Sequence, residues 1–238
     1  MKIKNSQFKK LVEAFLNEDT RDYEDELILY VKTNKSKLIK LLGVSYQEIK
    51  MLTIASMCVA GRESSFGEWA QYKYFYNPIE TLISYTGIAD PSIGPTQAKY
   101  STATDDKEYA DEIGVASPYD LSDDLKAMLS TLGILARNYK KAASLGYSKK
   151  RPGNIRASIS DKNANKKFKS TGSAALDLAL CAYNGDPDKV IVKRKDKDYI
   201  PCYGDGCVNN EEGGLTTYHY IREVGNCMRK KSAYYSKF

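Results

Sequence analysis

The sequence predicts a mainly α-helical protein with minor β-hairpin content. Three observations predict it. Apolar residues recur at three- and four-residue spacing over long stretches, helix-capping signatures stand where those stretches begin, and the runs with strand character are few and short. At 238 residues the chain suits one main domain, or a core with a small appendage. A hydrophobic fraction of 42% and a charged fraction of 28% exclude a disordered or fibrous chain, and no internal repeat is present.

Phe8, Leu11, Val12, Phe15 and Leu16, then Leu27, Tyr30, Val31, Leu38, Leu41 and Leu42, keep helical spacing. Residues 1–44 are therefore expected to form a helical N-terminal segment ahead of a domain over residues 45–238. Ser45 with Glu48 three residues later is a capping-box signature, and Ile49, Leu52, Ile54, Ala55, Cys58 and Val59 follow closely enough for a largely buried helix. That helix leads into Gly61-Arg62-Glu63-Ser64-Ser65-Phe66-Gly67. Leu125, Met128, Leu129, Leu132 and Leu135 hold one face of a helix over residues 122–143, which Gly146 is placed to end. Residues 148–171, rich in Lys, Asn, Ser and Gly, read as a solvated surface loop. Ser173 caps a short buried helix through Ala174, Leu176, Leu180 and Tyr183, stopped by Gly185. Residues 190–192 and 199–200 have weak strand character, and Thr216 or Thr217 starts a last helix through Tyr220, Ile221 and Val224.

No stretch approaches the roughly 20 apolar residues of a membrane helix, and no apolar segment follows the N-terminal lysines as a secretory signal requires. The net charge of +6 gathers at 149–156, 162–169 and 189–197, which suits a polyanionic partner, whether nucleic acid or bacterial cell wall, or simply a solvated basic face. No nucleic-acid-binding motif accompanies it, so none is expected as a partner. The five cysteines cannot all pair within one chain. Cys58 and Cys181 lie in apolar helical patterns and read as core. Cys202, Cys207, His219 and Cys227 follow the spacing C-x4-C-x11-H-x7-C, which fits no usual structural-zinc pattern. Free thiols, a Cys202–Cys207 disulfide and a Cys202–Cys227 disulfide all stay open, and no metal or cofactor is expected.

Glu63 is the residue singled out for chemistry. It ends an apolar helix with Val59 and Ala60 one turn before it, so its carboxyl is expected to be partly desolvated. Desolvation raises a carboxyl pKa and equips a glutamate to protonate a leaving oxygen, as glycosidic cleavage requires. Taken alone, an exposed glutamate in a C-terminal turn is the plainer reading. Glu63 is followed, however, by Ser92-Ile93-Gly94-Pro95-Thr96-Gln97-Ala98-Lys99, by Ala182-Tyr183-Asn184-Gly185, and by Thr217-x-x-Tyr220-Ile221-x-x-Val224. In that order these resemble the four blocks of the soluble lytic transglycosylase and goose-type lysozyme family: E-S-x-F, G-x-x-Q, A-Y-N and T-x-x-Y-V-x-x-V. Each block is short and weak by itself; the resemblance rests on the four in sequence and covers roughly residues 45–230.

The resemblance implies a lysozyme-like helical domain in which Glu63, the catalytic acid, stands at the floor of a glycan cleft. It implies that Ser64, Gln97, Tyr183 and Asn184 bind substrate and that Tyr220 reaches towards Glu63. The plainer roles are a turn-stabilising amide for Gln97 and core packing for the two tyrosines. Pro95 and Thr96 stand where the family usually has Leu and Met, and Tyr183-Asn184-Gly185-Asp186 replaces Y-N-A-G, which puts the outer subsites in doubt more than the acid. Trp69, Tyr72, Tyr74, Phe75 and Tyr76 offer flat faces for sugar rings or simply build core.

The activity implied is cleavage of the β-1,4 bond between N-acetylmuramic acid and N-acetylglucosamine in peptidoglycan, by a monomer acting on glycan strands. In the transglycosylase scheme Glu63 protonates the leaving oxygen and then accepts the proton of the sugar's own 6-hydroxyl, so no second protein carboxylate is needed. A hydrolytic alternative needs a base for water, for which Asp90 is the candidate, against its plainer role in an Asp-Pro turn. A non-catalytic wall-binding or virion structural protein is the alternative of another class. A wall substrate together with no visible signal segment points to a phage-encoded lysin, released by a pore or carried in the virion. A bacterial protein exported by another route is read from the same residues.

Overall fold

The computed structural model describes residues 20–64, 77–147, 171–184, 191 and 217–238. Their order is α1 (Thr20–Thr33), α2 (Lys35–Leu42), α3 (Tyr46–Ser64), α4 (Asn77–Thr86), β1 (Ser92–Ile93), β2 (Ala98–Lys99), α5 (Tyr100–Ala103), α6 (Lys107–Glu112), a 3-10 turn (Pro118–Ser122), α7 (Asp124–Ser144), α8 (Ala174–Tyr183), α9 (Thr217–Lys230) and a closing 3-10 turn (Ser232–Lys237). The protein is mainly α, with one two-residue antiparallel hairpin in which Ser92 pairs with Lys99 and Ile93 with Ala98. Among the described residues no helix is long and apolar enough to cross a membrane.

The capping box that starts α3 is formed: the Ser45 N–H donates to Glu48 Oε2 at 2.7 Å and the Glu48 N–H to Ser45 Oγ at 3.3 Å. Residues 52–60 of α3 are all buried, so it is a central helix rather than an amphipathic one at the surface. Against it lie α7, α9 and α1, and α7 also packs along α8. Small polar residues serve the seams: Ser56 Oγ donates across 2.5 Å to the Met128 carbonyl, joining α3 to α7. Asp123 caps α7 by accepting from the Lys126 N–H at 2.8 Å, and Ser173 caps α8 through the Leu176 N–H. Asp177, fully buried in the first turn of α8, accepts from the N–H and the hydroxyl of Thr171 and ties down the chain entering the helix.

The segment over 20–42, which the sequence sets apart from residues 45–238, packs into the same core through Leu27, Val31, Leu38 and Leu42. Its buried Glu24 accepts from Lys231 at 2.5 Å and Asp25 pairs with Lys237 at 2.7 Å, so the described C-terminal residues clasp α1. One expectation is corrected. Cys58 is not a free core thiol but is bonded to Cys227, with the two Cα atoms 5.7 Å apart. The pairing arises because α3 and α9 pack side by side, which apolar periodicity alone does not reveal. Cys227 is thereby removed from both the zinc set and the pairing with Cys202. Cys181 is a buried thiol outside the disulfide, as its apolar surroundings predict. Cys202, Cys207, residues 1–19, the basic stretches, the aromatic group from Trp69 to Tyr76 and most of residues 185–216 lie outside the described residues.

Candidate functional site

Glu63 is in the last turn of α3, just beyond the buried run, and 18% of its side chain is exposed. It opens onto a cavity of about 560 Å³. The hairpin contributes Ser92, Gln97, Ala98 and Lys99 to the lining, α5 contributes Thr102, α7 contributes Ile134 and Asn138, and the end of α8 contributes Ala182, Tyr183 and Asn184. Residues from three of the four sequence blocks thus meet at one cavity. The fourth block meets them through Tyr220, whose hydroxyl interacts with the Glu63 carboxyl from the buried face of α9.

Burial pushes the Glu63 carboxyl above its ordinary value of 4.5, and the Glu223 carboxylate pushes the same way; the Arg62 guanidinium and the Tyr220 hydroxyl pull it down. Arg62 is shared among these groups. Its Nη1 lies 3.7 Å from Glu63 Oε2, its Nε lies 3.3 Å from Glu223 Oε2, and its guanidinium carbon sits 5.0 Å from the centre of the Tyr220 ring. Tyr220 is 1% exposed and its hydroxyl makes no fully formed hydrogen bond. It stands close enough to Glu63 to bias the carboxyl towards ionisation yet short of ideal donor geometry. Burial, and then the facing Glu63, drives the Tyr220 phenol well above its ordinary value, so it remains a proton donor.

The hairpin turn explains the G-x-x-Q block. Gly94 has φ +76, and a Cβ there would fall 1.8 Å from the Leu121 carbonyl oxygen, so both the backbone and the neighbouring 3-10 turn demand glycine. The N–H and the Nε2 of Gln97 both donate to the Gly94 carbonyl, at 3.0 and 3.1 Å. Gln97 itself has φ +54, the only positive φ at a non-glycine among the described residues. Such strain persists only where surrounding contacts impose it, and it clusters at functional sites. Here it turns the Gln97 side chain to the cavity while part of its amide stabilises the turn.

Tyr183 secures this turn. Its hydroxyl donates to the Thr96 carbonyl at 2.7 Å and lies 3.2 Å from Thr131 Oγ1, so the A-Y-N block, the G-x-x-Q block and α7 are held by one phenol. Burial raises its pKa far beyond the neutral range. Asn184 caps α8 at the exposed rim. Ser64 ends α3, and its side chain lies outside the described residues.

Asp90 is not brought to the cavity. Its two carboxylate oxygens accept from the N–H and the hydroxyl of Ser101, at 3.4 and 2.5 Å, so it fastens the strand entering the hairpin to the start of α5. Among the described residues no three His, Cys, Asp or Glu side chains gather as a metal site. Asn138, Ile134 and Thr102 line the cavity without having been singled out in the sequence. A trace of Asn138 was there: Thr131 and Asn138 are polar residues seven apart that share one stripe of the helix with the apolar Leu135. No family model, curated protein or solved structure matches the chain.

Proposed function

We propose that this protein is a peptidoglycan-cleaving muramidase with a lysozyme-like domain, acting as a lytic transglycosylase with Glu63 as its acid and base. The observation that carries the reading is convergence. Glu63, Gln97, Tyr183 and Asn184, drawn from sequence blocks far apart in the chain, line one cavity, with Tyr220 interacting with Glu63 from behind. A glutamate whose pKa is raised by burial retains a proton to give to a glycosidic oxygen.

In this reading Glu63 protonates the oxygen leaving C1 of N-acetylmuramic acid, and the substrate's acetamido group supports the positive charge that develops there. The Glu63 carboxylate, its charge favoured by the Tyr220 hydroxyl and the Arg62 guanidinium, then takes the proton of the sugar's 6-hydroxyl as that oxygen closes on C1. The product is a 1,6-anhydro sugar, and no water is consumed. Among the described residues Glu63 is the one carboxylate that lines the cavity, which suits this scheme, because a hydrolase that activates water places a second one about 6.5–9.5 Å from the first. Asp90, held by Ser101 and absent from the cavity lining, gives the hydrolytic reading no support.

The test is digestion of purified peptidoglycan by the wild type and by Glu63→Gln, with released muropeptides weighed by mass spectrometry. Products lighter by one water, formed by the wild type alone, are expected. Full-mass reducing ends would replace the transglycosylase with a hydrolase, and release by neither protein would turn the reading to a wall-binding protein.

A further inference from the structure

Asn138 is 2% exposed, lines the cavity, and its amide nitrogen has no hydrogen-bond partner among the described residues. A buried N–H donor left without an acceptor is costly, so such a group is normally completed by a ligand or by an ordered water. Its surroundings select among ligands. Ile134, one helical turn earlier, lines the same cavity, as do Ala98 and Ala182, so an amide and apolar residues lie side by side. A sugar hydroxyl would answer the amide but leave the apolar surface bare. An acetamido group answers both, because its carbonyl accepts from the Asn138 amide and its methyl covers the aliphatic carbons.

Resting on the glycan-cleaving reading above, we propose that Asn138 is a specificity-determining residue that recognises the acetamido group of an N-acetylated sugar in this cleft. It is not a catalytic residue, since the proton transfers belong to Glu63. Its position on the long helix α7, set by packing rather than by a loop, suits it to fix the register of the sugar relative to that acid.

The test measures binding in the Glu63→Gln background, so that turnover does not intervene. Soluble glycan strands are compared with the same strands stripped of acetyl groups by a deacetylase, for Glu63→Gln alone and with Asn138→Leu or the isosteric Asn138→Asp added. The preference for acetylated strands is expected to fall about ten-fold with Asn138→Leu, the value of one ordinary hydrogen bond, and further with Asn138→Asp, whose carboxylate also attracts the amines of the stripped strands. For the neutral Asn138→Leu, comparing preferences rather than affinities cancels the charge that deacetylation uncovers. The Asn138 side-chain amide resonances of Glu63→Gln are also expected to shift on adding acetylated strands and to stay in place with stripped ones, which tests the idea without touching Asn138. An unchanged preference, or resonances that do not move, would overturn the proposal and leave Asn138 to a water. If the wild type leaves peptidoglycan intact and Glu63→Gln binds no strand, the muramidase reading fails first and takes this inference with it.

Discussion

The Tyr183 hydroxyl donates to the Thr96 carbonyl oxygen across 2.7 Å, joining residues 87 positions apart in the chain. Because its proton is committed there, the Thr131 hydroxyl 3.2 Å away acts as donor to the phenol oxygen. Tyr183→Phe leaves the buried Thr96 carbonyl without this donor, at an expected cost of about 1–3 kcal/mol. Thermal melting should show a fall of roughly 2–4 °C for each kcal/mol lost. Glycan affinity should weaken as well, because the turn carrying Gln97 loses its anchor.

Tyr220→Phe should behave differently. Its buried hydroxyl forms no complete bond, so removing it is expected to leave the melting temperature unchanged or slightly higher. That hydroxyl does hold the Glu63 pKa down, and without it the carboxyl rises further. The alkaline limb of the pH–rate profile should therefore move to higher pH in the variant. An unmoved limb would remove Tyr220 from the proton-transfer apparatus.

Glu63→Gln is expected to abolish peptidoglycan cleavage while stabilising the protein at neutral pH. The sign follows from burial. The folded-state pKa lies above the ordinary 4.5, so the folded protein holds its proton more tightly than the unfolded chain does. Wild-type stability then falls as pH rises from about 4.5 to the folded pKa, and stays lower above it. Melting curves of the two proteins should coincide for this contribution well below pH 4 and separate, with Glu63→Gln higher, as pH increases.

Gly94→Ala and Gly87→Ala form a matched pair. Both residues have positive φ, but a Cβ at Gly94 meets the Leu121 carbonyl at 1.8 Å whereas nothing lies within 4 Å of one at Gly87. Gly87→Ala should cost about 1 kcal/mol for the backbone alone. Gly94→Ala should cost several times as much, because the turn and the Leu121 backbone cannot both keep their places. Denaturant midpoints at constant slope will read the difference.

Much of the helical frame was legible because it is written locally. Ser45 with Glu48, and the register of Leu125, Met128, Leu132 and Leu135, need no distant partner to be recognised. Short elements were missed for lack of length. Helix α6 and the 3-10 turn at Pro118 span too few residues for periodicity, although Asp106 capping the Tyr109 N–H, and Ser117 with Pro118 and Asp120, are local signals that could have marked them. The hairpin has two residues per strand, so alternation had nothing to act on. The Cys58–Cys227 bond stayed hidden because Cys58 in an apolar helix looks like any small hydrophobe. At the site, Glu63, Gln97 and Tyr220 came from their block pattern, while the orphaned amide of Asn138 exists only once α7 has been packed and its surroundings closed.

The disulfide has a topological consequence. Glu63, Gln97, Asn138, Tyr183 and Tyr220 all fall between Cys58 and Cys227 in the chain, so every one of these residues belongs to a single covalent ring. A protease that cuts once within that ring linearises it without releasing either piece. The nicked protein would migrate as one molecule until reductant is added, and the two halves of its cleft, still tethered to each other, would need no second encounter to reassemble.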